Sequence, residues 1–176
     1  MVKHTKEHIP KDEIKLLSEL QKNSNEKLDL IAKRCGFSRQ KAWRLIKELE
    51  DNKLIWGYTA ITNHEIFDQK QFMMFVKRTN KPLDKKIMEK IDSMDLENLA
   101  LPLGVAIESS CYVHGNYDWI ISFFAQDITQ AKAFCNLLYT EFPDAIEKID
   151  IQQILYFVRD HFIFNPDRKK LYDLMD

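Results

Sequence analysis

The chain has 176 residues, 45% of them hydrophobic and 30% charged, with a formal net charge of −1. This composition fits a soluble globular protein and excludes a disordered or collagen-like chain; no apolar run approaches the ~20 residues that a membrane-spanning helix needs. The first residues, Met1 to Glu7, carry lysines with no apolar segment behind them, so no signal peptide is expected and the expected location is cytoplasmic.

Cys35, Cys111 and Cys135 each lie among apolar neighbours and are expected as buried, reduced thiols. His4, His8, His64, His114 and His161 are scattered, with no pair at ligand spacing, so neither a metal nor a cofactor is expected. The small net charge hides an asymmetry. Residues 1–50 carry 12 Lys and Arg against 8 Asp and Glu, whereas residues 51–176 carry 14 against 19. A basic front on a mildly acidic body suits a nucleic-acid reader, although such a balance is also common on inert helices.

From Pro10 to about Asn23, Ile14, Leu17 and Leu20 recur at near-helical intervals, with Leu16 widening the stripe, which predicts a first helix. Asn23-Ser24-Asn25 breaks it. Leu28, Ile31, Ala32 and Cys35 then fall at i, i+3, i+4 and i+7, on one face of a second, short helix. Gly36 stands where a helix ends in a left-handed residue, and Ser38 is placed to cap the next one, so the turn is about three residues long. In the third helix Ala42, Leu45, Ile46 and Leu49 repeat the apolar spacing, which turns Arg39, Gln40, Lys41, Trp43, Arg44 and Lys47 outward.

Two helices joined by a tight glycine turn, the second offering Arg, Gln and Lys at its start, are what reading of a DNA major groove requires. Ser38, Arg39, Gln40 and Lys41 are expected at bases or nearby phosphates, and Arg44 and Lys47 at phosphates, because Arg and Gln pair bidentately with guanine and adenine edges while Lys mainly neutralises charge. Trp43 could meet a thymine methyl or a sugar, or pack beneath the chain that follows. The plain alternative is a solvated charged face on a helical bundle.

The run Leu30-Ile31-Ala32-Lys33-Arg34-Cys35-Gly36-Phe37-Ser38, then Ile46-Lys47-Glu48-Leu49-Glu50 and Leu54-Ile55-Trp56-Gly57-Tyr58-Thr59-Ala60, resembles the archaeal and bacterial Lrp/AsnC transcription regulators. The match runs without a gap from Asp12 to Ala60; Leu45 departs from it, since many members place arginine there. The resemblance implies a winged or three-helix helix-turn-helix domain that binds double-stranded DNA.

Behind an expected hinge strand, Ile55 to Thr62, an α/β pattern begins. Gln71 to Lys77 reads as a strand, Pro82 opens a helix with Ile87, Met88 and Ile91 on one side, and Val105 to Val113 and Trp119 to Ala125 are strands joined by a turn at 114–118. A helix from Ile128 to Phe142 presents Ala131, Phe134, Cys135, Leu138 and Phe142, and Ile149 to Val158 supplies the last strand. The order βαββαβ predicts an α+β, ferredoxin-like sandwich, an antiparallel sheet with both helices on one face. Its other face needs cover, for which dimerisation is the economical solution.

This half is similar to the regulatory domain of the same family up to about Phe162. The resemblance implies homodimers, often octamers, and in some members an amino-acid effector held between dimers. The matching turn is Gly115-Asn116-Tyr117-Asp118, where glycine would permit a positive φ, amides could hold a carboxylate and Asp118 could accept an ammonium group; ordinary hairpin chemistry explains the same residues. The segment Asp95 to Gly104 is longer than the family's usual connection. Beyond the last strand, Asn165-Pro166 predicts the start of a short helix carrying Leu171, Leu174 and Met175. Phe162, Phe164 and Tyr172 would then need cover, from the same subunit or across an interface.

The expected organisation is a DNA-binding domain at 1–53, a hinge at 54–70, an assembly and effector domain at 71–160 and a tail at 161–176. The expected function is a sequence-specific transcription regulator, not an enzyme. Two other readings remain. Siroheme decarboxylases use a related two-part fold, but place a histidine before a Cys-Tyr pair, where this chain has Ser110 before Cys111-Tyr112. An effector-binding or assembly module without sequence-specific DNA binding is the other.

Overall fold

The computed structural model describes residues 10–93 and 95–175. The N-terminal residues read for a targeting signal, with His4 and His8, lie outside the described residues. The chain forms two compact units, one built from residues up to 61 together with those from 158 onward, the other from residues 62–157.

In the first unit, α1 (Lys11–Lys22), α2 (Leu28–Cys35) and α3 (Arg39–Asp51) pack around Leu16, Leu20, Ile31, Ala32, Cys35, Ala42, Leu45 and Leu49. These are the residues that a 3.6-residue period puts on the inward faces. Ile14 differs from expectation, at 50% exposure. Two residues before Leu16, it points about 200° away from the buried stripe. Burial pushes the Cys35 thiol up, with Glu19 adding to the effect, so it stays protonated.

Residues 55–62 do not form the expected strand; among the described residues none lies beside them in a ladder. A strand exists only where a neighbour accepts and donates its hydrogen bonds. Ile55 packs on the helical core, while Trp56 is 95% exposed. The tail forms a minimal hairpin, β5 (Arg159–Asp160) with β6 (Ile163–Phe164), and α7 (Lys169–Asp173) begins three residues later than a cap at Asn165 with Pro166 as first residue implies. Asn165 Oδ1 accepts from the Asp167 N–H at 2.9 Å and Asp167 Oδ1 from the Lys169 N–H at 3.2 Å. These side-chain turns compete with helix formation and delay it. Phe162, Phe164, Tyr172, Leu174 and Met175 stay exposed.

The second unit is a four-stranded antiparallel sheet in the order β2-β3-β1-β4, from β1 (Lys70–Arg78), β2 (Ala106–Tyr112), β3 (Trp119–Ala125) and β4 (Ile146–Gln153). Alternation on the central strands decides its two faces. Phe72, Met74 and Val76 of β1, opposite Phe123, Ile121 and Trp119 of β3, form the core with Ile87 of α4 (Lys85–Asp92) and Ala131, Phe134 and Leu138 of α6 (Ile128–Glu141). Phe123 meets Phe134 edge-on at 5.1 Å.

The helix α4 starts not at Pro82 but after Asp84, whose Oδ1 accepts from the Ile87 N–H at 2.8 Å. Met88, expected inside, is 57% exposed, because Ile87 and Ile91 at i, i+4 already define the buried face. The long connection from Asp95 folds into α5 (Leu96–Ala100) and a 3₁₀ turn closed by Gly104 at φ 69°. β4 begins at Ile146 and ends at Gln153, several residues earlier than expected at each end. β1 sets its length, since Phe72 to Arg78 pair with Gln153 back to Ile146.

On the open face, Gln71 and Ser122 are buried and both donate to Glu108 Oε2, the serine at 2.6 Å, where a register shift between Ile107 and Ser109 admits an extra residue. Cys111 is exposed rather than buried, since β2 is an edge strand and Cys111 lies opposite Ile120 on this face. Replacing Phe134, fully buried between sheet and helix, by alanine should destabilise the protein by about 3–5 kcal/mol, read as a lower urea midpoint. A change below about 1 kcal/mol would show that this core is not as packed as described.

Candidate nucleic-acid interface and small-molecule cleft

The turn that aims α3 is closed by backbone geometry. Gly36 is left-handed at φ 71°; its N–H reaches Lys33 O at 3.0 Å and the Phe37 N–H reaches Ala32 O at 2.8 Å, a Schellman closure of α2. Ser38 then accepts from the Lys41 N–H at 3.2 Å and starts α3. The three-residue turn fixes which side chains of α3 face outward.

Arg39, Gln40, Trp43, Arg44 and Lys47 are exposed along α3, Trp43 at 58%. Their charges are lightly held. Arg39 lies 3.5 Å from Asp29, Arg44 3.7 Å from Glu48 and Lys47 3.1 Å from Glu50, all in solvent-facing pairs that a phosphate can displace. Lys47, then Tyr58, holds the Glu50 carboxyl below its ordinary range. Lys41 is placed differently. Its ammonium lies 2.6 Å from Asp12 and 4.4 Å from the centre of the Phe37 ring, so it ties α3 to α1 and to the turn.

The turn 115–118 is built into the end of β1. The Asp118 N–H donates to Val76 O at 2.9 Å, and Asp118 Oδ2 accepts from the Arg78 N–H at 2.8 Å. Gly115 has the positive φ expected of it, at 159°, a conformation that residues with a Cβ rarely adopt. Tyr117 lies on Phe75 at 5.3 Å between ring centres and donates to Asp150 Oδ2 at 2.7 Å. Lys148, then Tyr117, lowers the Asp150 pKa, and the bond to Asp150 raises that of Tyr117. The neighbouring Trp119 indole donates to Ser110 Oγ at 2.8 Å.

Beside this turn opens a cleft of about 450 Å³, lined by residues 77–82 with Gly115, Asn116 and Asp118. Sequence pattern points to the turn alone, whereas the fold adds the end of β1, Lys77 and Arg78, with Lys81. A signal existed: in the βαββαβ order β1 runs antiparallel beside β3, which carries the end of β1 to the turn preceding Trp119. Among the described residues no group of three His, Cys, Asp or Glu side chains could hold a metal ion, and no helix is long and apolar enough to cross a membrane.

A depressed carboxylate contributes stability above its ordinary pKa, here 3.8 for Asp150, and loses it as pH falls through the lower folded value. In Tyr117→Phe one of the two groups depressing it is gone. The Asp150 carboxyl should then titrate closer to 3.8 by NMR, and an unmoved titration would show that the bond to Tyr117 does not hold the turn.

Residues 13–55 match the family model of a winged helix-turn-helix DNA-binding domain. No curated protein matches the sequence. Among solved structures, the AsnC family transcriptional regulator of Agrobacterium tumefaciens aligns with a TM-score of 0.64 at 17% identity, over 90% of this chain and 98% of its own. A transcriptional regulator of Neisseria meningitidis, solved in complex with L-methionine, gives 0.62 at 17% identity over 92% and 99%. The leucine response regulatory protein of Mycobacterium tuberculosis gives 0.62 at 17% over 88% and 100%. The chain therefore joins a winged helix-turn-helix segment to an antiparallel α+β domain in the fold of the Lrp/AsnC transcription regulators.

Proposed function

We propose that the protein is a transcription regulator that reads double-stranded DNA with α3 and acts as a dimer or larger oligomer. The observation that carries this reading is the exposed row Arg39, Gln40, Trp43, Arg44 and Lys47 on a helix whose start is fixed by Gly36 and Ser38, within a segment that matches a DNA-binding family model. Arg39 and Gln40, in the first turn of α3, are assigned to base edges, with Trp43 against the sugar or a thymine methyl. Arg44 and Lys47, further along, are assigned to phosphates. Ser38 and Lys41 act as positioning residues, the first by capping α3 and the second through Asp12 and Phe37.

Residues 1–53 would read DNA, 54–70 would serve as the hinge and 71–160 would assemble and respond. The open face of the sheet, with half-buried Met73, Phe75 and Ile120, suits a second copy, which would place two reading helices over adjacent half-sites. The cleft at Gly115, Asn116 and Asp118 is assigned to a small amino-acid-like effector, in keeping with the methionine-bound relative; Tyr117, expected with them, does not line it and is engaged with Phe75 and Asp150 instead. Asp118 spends Oδ2 on the Arg78 N–H, which leaves Oδ1 for an ammonium group. Ser110, the position at which siroheme decarboxylases carry a histidine, is the acceptor for the Trp119 indole, so the enzyme reading gains no support.

Selection of bound genomic fragments supplies the operator on which this can be measured. Arg39→Ala should weaken binding to it about tenfold or more and relax preference at one base position. Arg44→Ala should weaken all sequences alike and lower the salt slope by about 0.9. Unchanged affinity and slope in the double variant would remove α3 from the interface. On a sizing column the protein should run as a dimer or larger; a monomer at micromolar concentration would remove the assembly role of the sheet.

A further inference from the structure

The cleft is more cationic than an amino-acid site requires. Three of its lining residues, Lys77, Arg78 and Lys81, are positive, and its sole acidic lining residue, Asp118, has one oxygen committed to the Arg78 main-chain N–H. Arg78 stands out among them. Among the described residues it makes no ion pair, and its Nε is the one buried side-chain nitrogen or oxygen with no hydrogen-bond partner. A buried guanidinium nitrogen without an acceptor is costly, and an oxyanion is its natural complement, because the planar fork matches carboxylate and phosphate oxygens.

The two lysines can contribute to the same ligand. Lys77 lies 3.2 Å from Glu147 and Lys81 3.6 Å from Asp144, but both pairs are solvent-facing, with the lysine side chains 46% and 69% exposed. Such pairs exchange partners readily. Thr79, Asn80 and Asn116 add polar groups to the wall, and Pro82 closes one side with little freedom to move. A neutral side chain entering here would give the Arg78 guanidinium no counter-charge; a second anionic group would supply one.

We infer that the cleft selects a small molecule bearing two anionic groups, such as an acidic amino acid, a dicarboxylate or a phosphorylated carboxylic acid, with Arg78 as the residue that sets this preference and Lys77 and Lys81 in support. This rests on the reading of the cleft as an effector site. One anionic group is held by Arg78 with Lys77 and Lys81, and the other faces the amides of the 115–116 turn. The ammonium group of an acidic amino acid would meet Asp118, whereas a dicarboxylate or a phosphate compound would bind without that contact.

The experiment is calorimetric titration of the full-length protein with L-glutamate, succinate, 3-phosphoglycerate, L-leucine and L-methionine, repeated on Arg78→Gln and on Lys81→Gln. Expected is binding of at least one of the three anions at least about tenfold tighter than either neutral amino acid, weakened about tenfold or more in Arg78→Gln and less in Lys81→Gln. Which anion binds identifies the source, and a drop for glutamate alone in Asp118→Asn assigns the ammonium contact. Should Arg78→Gln fail to fold, Arg78→Lys, which keeps the charge and loses the planar fork, takes its place and is expected to weaken anion binding more than Lys81→Gln does. Tight binding of leucine or methionine with none of the anions overturns the inference and leaves the effector reading intact. Anion binding that is equal in wild type and both variants also overturns it. No binding by any of the five overturns both.

Discussion

Alternation along β1 is the constraint on which the second unit is arranged. Phe72, Met74 and Val76 point to the helices, so Gln71, Met73 and Phe75 must point the other way. A slip of one residue would exchange the two sets, burying Gln71 and Lys77 against α6. Because β1 is central, paired with β3 on one side and β4 on the other, its register also decides where its last residues emerge. Arg78 comes out beside Asp118, whose main-chain amide and carboxylate both return to β1. The cleft is thus a product of strand register more than of loop chemistry. The same register leaves half-buried apolar side chains on the face away from the helices.

The first unit obeys a different rule. Its helices are short, and a helix of eight residues such as α2 gains little from propensity alone. What holds the arrangement is shared burial of Leu16, Ile31, Ala42 and Leu49 together with two consecutive caps, one glycine and one serine, that leave the intervening turn no freedom. Lys41 shows how a charge can serve structure on a surface otherwise suited to ligand. Its neighbours on the same helix are held only by exposed pairs, whereas it is gripped by Asp12 and by the Phe37 ring.

Periodicity made most of this legible in advance. The three N-terminal helices, the capping roles of Gly36 and Ser38, the span of β3 and the inward residues of α6 follow from spacing and turn chemistry that act over a few residues. What escaped were outcomes decided by partners distant in sequence. The ends of β4 are fixed by β1, 68 residues earlier by number at Ile146 and 81 at Gln153. Residues 55–62 have strand-like composition and, among the described residues, no partner to pair with. Ile14 and Met88 looked apolar enough to be inside, but the buried stripe was already full. At the candidate sites the same division holds: the outward face of α3 was readable, while the engagement of Lys41, the use of Asp118 as a main-chain acceptor and the unpaired nitrogen of Arg78 depend on tertiary placement.

The three tryptophans occupy three different environments. Trp119 is buried and hydrogen-bonded to Ser110, Trp43 stands on the outward face of α3, and Trp56 is almost wholly in solvent just beyond that helix. Indole emission shifts to the red as water gains access to the ring, so the folded chain emits as a mixture of one blue and two red fluorophores. A soluble collisional quencher reaches Trp56 and Trp43 and leaves Trp119 dark to it. The protein thereby carries an optical label on its helical unit and a separate one in its sheet, without any dye attached.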